Sequence, residues 1–144
     1  MSSKATLKKL LKDLPFSADI YWQLRGQYKH WSAHYQLEGL KSVLPEAVRE
    51  VQAYALPNPT PKKIAIFAPL HYWIEQAGLI ALALAGQGHE VELAYLPYAE
   101  WDKPISRFDL RRQDLYTQKV FAPASTILKL TPLVERLQPG HELP

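Results

Sequence analysis

Cysteine is absent from the 144 residues, which removes disulfides, cysteine nucleophiles and thiolate metal sites together. That absence fits a reducing compartment. Long apolar runs are missing as well. The nearest candidate, Ile74 to Ala85, is short and carries Glu75 and Gln76 near its start, so no membrane span is expected. The opening residues, MSSKATLKKLLKDLP, lack the apolar core of a signal peptide, and the expected location is cytoplasmic. Glycine is missing where nucleotide sites need it. The loop Ala68-Pro69-Leu70-His71-Tyr72-Trp73 holds none, so neither a dinucleotide fingerprint nor a P-loop can form there. There is no G-x-S-x-G nucleophile elbow, and the first predicted strand ends without the aspartate of a phospho-acceptor. No internal repeat or low-complexity tract is present. No cofactor is expected.

What is present describes an ordinary globular chain. Hydrophobic residues make up 47% and charged residues 22%, enough for a single core of domain size. The net charge is +3, and all of the excess lies in residues 1–61, with eight basic against five acidic residues. A bias this small suits solubility and argues against a nucleic-acid partner.

One stretch organises the rest. Lys63 to Ala68 is a short run with β-branched and aromatic members, as expected of a strand covered on both faces. Tyr72 to Gly86 is apolar nearly all round and predicts a largely buried helix, thinned by Ala77, Ala81, Ala83 and Ala85. Gly86 and Gly88 supply candidate positive φ at its end, and Val91 to Leu96 resumes strand character. Two strands joined through a helix are most simply parallel. Further on, Ser106 and Asp109 resemble a capping box opening a helix from Arg107 to about Val120. Thr126 to Leu130 predicts a third strand, and Thr131-Pro132 a short helix through Leu137. The expected fold is α/β, a parallel sheet in the order β-α-β-α-β-α, preceded by helices.

Those leading helices follow from spacing. Leu7, Leu10, Leu11 and Leu14 stand at i, i+3, i+4 and i+7, one apolar stripe. After Pro15, Ser17 caps a second helix carrying Ile20, Tyr21, Trp22, Leu24 and Tyr28. A third is expected from Pro45, with Val48, Val51 and Ala55 inward. The resulting division is a helical segment over 1–56, a proline-rich linker over 57–61 and an α/β domain over 62–144. Aromatic residues between Tyr21 and Tyr35 interleave with Arg25, Lys29, His30 and His34. They read either as a stacking platform for sugars or bases, or as rings packed on the α/β unit or in a homodimer of these helices. His30 and His34 lack the intervening glutamate and further ligands of a zinc site, so no metal is expected.

The pattern Lys63-Ile64-Ala65-Ile66-Phe67, then His71, then Leu79 to Ala85 closing in Gly88-His89-Glu90-Val91, resembles the opening unit of GT-B glycosyltransferases. The resemblance covers about a quarter of the chain. It implies a Rossmann-like, three-layer domain and the acceptor-side half of a glycosyltransferase-like protein, with a sugar or nucleotide-sugar ligand. His71 matches the position from which such enzymes take the general base that deprotonates an acceptor hydroxyl. A helix N-terminus there favours the neutral ring this role needs. Glu75, one turn on, is the candidate to orient that ring, and Tyr72, Trp73 and Trp101 to line an acceptor pocket. Arg107, Arg111 and Arg112 form a candidate anion cluster, since guanidinium forks suit phosphate or carboxylate. Their alternative is pairing with Asp109, Asp114 and Glu100. His89, in the return turn, is expected to be structural. Such enzymes hold the donor in a second domain, which is not expected within these 144 residues, and the last residues look like a linker or cut end. A half that does not turn over alone and a stand-alone binding or assembly module therefore both stay open.

Overall fold

A computed structural model describes Ile20, residues 35–99 and residues 107–136. The elements in order are α1 (Glu38–Ala53), β1 (Lys63–Ala68), α2 (His71–Gly86), β2 (Glu90–Tyr95), α3 (Arg107–Phe121) and β3 (Lys129–Pro132). A 3₁₀ turn, Ala122–Ala124, leads out of α3, and another, Val134–Arg136, follows β3. The three strands form one parallel sheet in the order β1-β2-β3. Ile66 lies beside Leu93, and Leu93 beside Leu130. The fold is α/β.

The central unit follows its sequence pattern closely. β1 spans the predicted Lys63–Ala68, α2 begins one residue earlier than Tyr72, and β2 one residue earlier than Val91. Gly88 takes φ +79°, where an added Cβ would lie 2.8 Å from the Leu56 carbonyl oxygen. Gly86 remains helical. His89 is structural, as expected. Its Nδ1 accepts from the Asn58 side-chain amide and the Lys62 main-chain N–H, each at 3.2 Å.

Both strand and helix are less covered than their composition suggests. In β1, Lys63, Ala65 and Phe67 face solvent, and Phe67 is 63% exposed. The helices gather on the other face. Ile74, Ala77, Ala81 and Leu82 of α2 join Leu40, Leu44 and Val48 of α1 and Val91, Leu93 and Tyr95 of β2 in one core. Among the described residues, the face of β1 that carries Lys63, Ala65 and Phe67 stays uncovered. A sheet wound in one direction with right-handed crossovers puts successive helices on a single face, and β1-β2-β3 never reverses. The face left open is polar at one end, where Lys63 pairs with Glu90 and Lys129 with Glu92. α2 likewise keeps Tyr72, Trp73, Leu79 and Ile80 exposed, so its outer stripe is apolar without being buried.

Three boundaries differ from expectation. α1 begins at Glu38, seven residues before Pro45, which sits inside it. Burial of Leu40, Leu44 and Val48 on one face carries the helix through the proline. Ala55 lies beyond its end and is exposed. β3 covers Lys129–Pro132 where Thr126–Leu130 is expected, because the turn off α3 continues through Leu128, whose N–H bonds the Ala124 carbonyl. Thr131-Pro132 therefore ends a strand instead of starting a helix, which an edge strand tolerates. The predicted helices of residues 1–34 lie outside the described residues, Ile20 excepted.

Candidate functional site

The carboxyl ends of β1 and β2 meet at Tyr98. Its carbonyl oxygen accepts two hydrogen bonds from His71, one from the main-chain N–H at 3.3 Å and one from ring Nδ1 at 3.2 Å. A carbonyl can only accept, so Nδ1 is the donor of this bond. In the neutral ring that leaves the lone pair on Nε2, which has no hydrogen-bond partner among the described residues. His71 occupies the first helical position of α2, and no side chain of the preceding Leu70 caps that helix. The Tyr98 carbonyl takes over one of the amide groups that a helix N-terminus leaves unsatisfied.

Aromatic rings hold the imidazole on two sides. Tyr35 meets it edge-on at 6.0 Å and Tyr72 at 5.2 Å, and Trp73 meets Tyr72 in turn at 5.6 Å. Tyr72 and Trp73 are half-exposed, forming an aromatic shelf beside the histidine.

Glu75 does not orient this ring. Its carboxylate accepts the Leu40 main-chain N–H at 3.2 Å, capping α1 from across the interface. Gly39 leaves room for it, since a Cβ there would lie 3.5 Å from Oε1. The fixing acceptor is a main-chain carbonyl, which no residue-type pattern can signal.

Behind the shelf is a buried polar network. Tyr35 shares a hydrogen bond with Thr117, whose Oγ1 donates to the Gln113 carbonyl. Tyr116 accepts the Leu37 N–H and donates to Glu38. Fully buried Asp114 accepts from Tyr95 (3.0 Å), Arg111 (2.9 Å) and Gln118 (2.9 Å). Burial pushes the Tyr35 and Tyr95 hydroxyls far above their ordinary value, and the Asp114 carboxylate adds to both. Burial raises Tyr116 too, and Glu38 adds to it. The network ties α1, α3 and β2 together and sets the position of Tyr35 against His71.

No known protein family matches the chain, and neither does any curated protein or solved structure.

The arginine cluster divides. Arg111 pairs with Asp114 and Arg112 with Asp109 at 3.5 Å, while Arg112 also lies over the Phe108 ring. Both are thus engaged with the acidic neighbours that their sequence offered as the alternative to a ligand. The side chain of Arg107, and Trp101 and Glu100 altogether, lie outside the described residues. A depression of about 610 Å³ opens at the opposite, amino edge of the sheet, lined in part by Lys63, Glu90, Glu92, Ser125 and Lys129. Hydrogen bonds from Thr131 and Lys129 hold the Glu92 carboxyl below its ordinary value. Its charges answer one another, Lys63 pairing with Glu90 and Lys129 with Glu92. No group of three or more metal-ligating side chains occurs among the described residues, and no helix there is long and apolar enough to cross a membrane.

Proposed function

We propose that this chain is the acceptor-side part of a Rossmann-like, glycosyltransferase-like protein and binds a hydroxylated ligand at the carboxyl edge of its sheet. One observation carries the reading: the His71 Nδ1–H bond to the Tyr98 carbonyl, which leaves Nε2 to accept a proton. A hydroxyl seated against Nε2 passes its proton to the ring as its oxygen bonds to the anomeric carbon of a nucleotide-sugar donor. The bond from that carbon to the nucleoside diphosphate breaks and the diphosphate leaves; His71 is then the general base. Tyr72 and Trp73 form the apolar shelf on which a sugar face stacks. Open α/β sheets bind ligands at this edge.

The test is a titration followed by NMR, with methyl glycosides as acceptor probes and a uridine diphosphate sugar as donor probe. Saturable shifts of the His71 ring protons and the Trp73 indole with a glycoside are expected. In the catalytically complete protein, His71→Ala should lower transfer about 10²–10⁴-fold while leaving folding intact. A silent His71 across the panel, or unchanged transfer by the variant, rejects the assignment.

A second reading, a non-catalytic binding or assembly module, is favoured by the open face of the sheet, where Phe67 stands exposed. The homodimer expected through Trp22 and Trp31 belongs to this reading, and those residues lie outside the described ones.

A further inference from the structure

β1 is an edge strand of the sheet, and its outer side has no account in the His71 site. The Lys62 and Ala68 carbonyl oxygens accept the Glu90 and Leu96 main-chain N–H groups, each at 2.9 Å. The even-numbered residues of β1 therefore bond β2. Strand alternation turns the N–H and C=O of Lys63, Ala65 and Phe67 outward. These groups have no main-chain partner among the described residues, and all three residues are exposed. The opposite edge differs. There Leu133 donates to the Tyr95 carbonyl, so Leu130 and Pro132 of β3 face outward, and Pro132 has no N–H to offer. β1 lacks that protection, and an unpaired strand is a template for another strand.

We propose that β1 pairs antiparallel with β1 of a second copy of this chain, across a two-fold axis at Ala65. The edge is self-complementary about that residue. Ala65 meets its own copy, and its small side chain lets the strands meet on the axis. Lys63 falls opposite Phe67 of the second copy, so no like charges meet and each ammonium lies beside a ring. On the helix-bearing face, Ile64 stands opposite Ile66 of the second copy, a β-branched pair. The ends of the strand fix the register. Pro61 and Pro69 lie equidistant from Ala65 and are the next outward positions, where neither has an N–H to donate. A slip by two residues in either direction brings one of them into the ladder and loses bonds. Pairing centred on Ala65 uses the outward groups of all three residues, about six hydrogen bonds in all. An unrelated extended peptide would have to supply this matched spacing, which a second copy already carries. The product is one continuous sheet with three strands from each copy, an ordinary size, and a two-fold contact closes at two copies. The inference does not rest on the His71 reading. It gives the assembly reading its surface, separate from Trp22 and Trp31.

Amide hydrogen exchange of the full chain, with sedimentation over the same range of concentration, tests the pairing. The strand has six residues against about 20–30 a side in a standard interface, so the dimer is expected to dissociate on about a hundredfold dilution. The amides of Lys63, Ala65 and Phe67 should exchange about tenfold more slowly at the higher concentration, while Ile64 and Ile66, bonded to β2, stay protected at both. Ala65→Pro removes an outward N–H and none that bonds β2, so it should abolish the dimer and keep the fold. Phe67→Lys sets a lysine against Lys63 at both symmetric positions and should weaken association about tenfold. Phe67 is exposed, so the fold is again kept. A monomer across the whole range overturns the inference, as does a dimer that either variant leaves intact. Protection of these three amides that dilution does not change places their partner within the chain and overturns it as well.

Discussion

Gly78 of α2 faces the Phe121 ring at the end of α3. An added Cβ there would sit 2.7 Å from the Phe121 ring, and Phe121 is fully buried against Tyr95. The ring has nowhere to move. Gly78→Ala should therefore destabilise by about 1–2 kcal/mol, overpacking outweighing the gain in helix propensity. At Gly86 the same change meets Val51 at an ordinary 3.5 Å, and should stabilise by about 0.5–1 kcal/mol. Urea unfolding of the two variants checks both signs, and equal shifts would refute the steric account. Residues of the candidate site divide in the same local way. The place of His71, Tyr72 and Trp73 at the opening of the helix after β1 was readable from the sequence. Tyr98 was not, because its contribution is a carbonyl that every residue carries. Glu75 was misread because one turn of helix separation says nothing about a neighbouring helix that offers unsatisfied N–H groups.

Among the elements, α1 is the one that breaks a local rule. Pro45 lies in its exposed interior, where it removes an amide donor and crowds the preceding turn. Two compensations are visible. Leu40, Leu44 and Val48 bury one face, and Glu75 satisfies the Leu40 amide. The helix thus depends on tertiary contacts more than on propensity. Pro45→Ala should raise stability by about 1–3 kcal/mol, because it restores the donor without touching the core. An unchanged or lowered midpoint in thermal unfolding would show that the proline relieves a strain elsewhere. β3 illustrates the complementary case. Its register follows from pairing with β2, Leu130 beside Leu93 and Pro132 beside Tyr95, so the apolar run Thr126–Leu130 yields to the partner strand.

For the molecule as a whole, the buried tyrosines set an alkaline limit. The native fold holds the protons of Tyr35, Tyr95 and Tyr116, whose hydroxyls are all raised by burial, while an unfolded tyrosine loses its proton near pH 10. Above about pH 10 the unfolded state binds fewer protons, so stability falls as pH rises; below it this contribution is fully present. Of the eight tyrosines, these three should ionise only together with loss of the helical circular dichroism. Tyrosinate absorbance that rises to completion before the helical signal changes would refute the coupling. The same network joins three elements through Asp114, Thr117 and Tyr116, so its opening is expected to be cooperative.

Sequence alone determined the unit from Lys63 to Tyr98, because each of its signals is local. β-branched residues favour a pleated strand, alanine and leucine a helix, and Gly88 the one positive φ that the return requires. Parallel pairing followed, since a helix between two strands leaves little alternative. Only the tertiary structure decided which apolar residues are buried. Periodicity reports that a surface is apolar, not that a partner covers it, and so Phe67, Leu79 and Ile80 looked internal and stand in solvent. It also decided where α1 begins, which β3 residues pair, and which acceptor holds His71. Each of those depends on groups far apart in the chain whose encounter has no local signature.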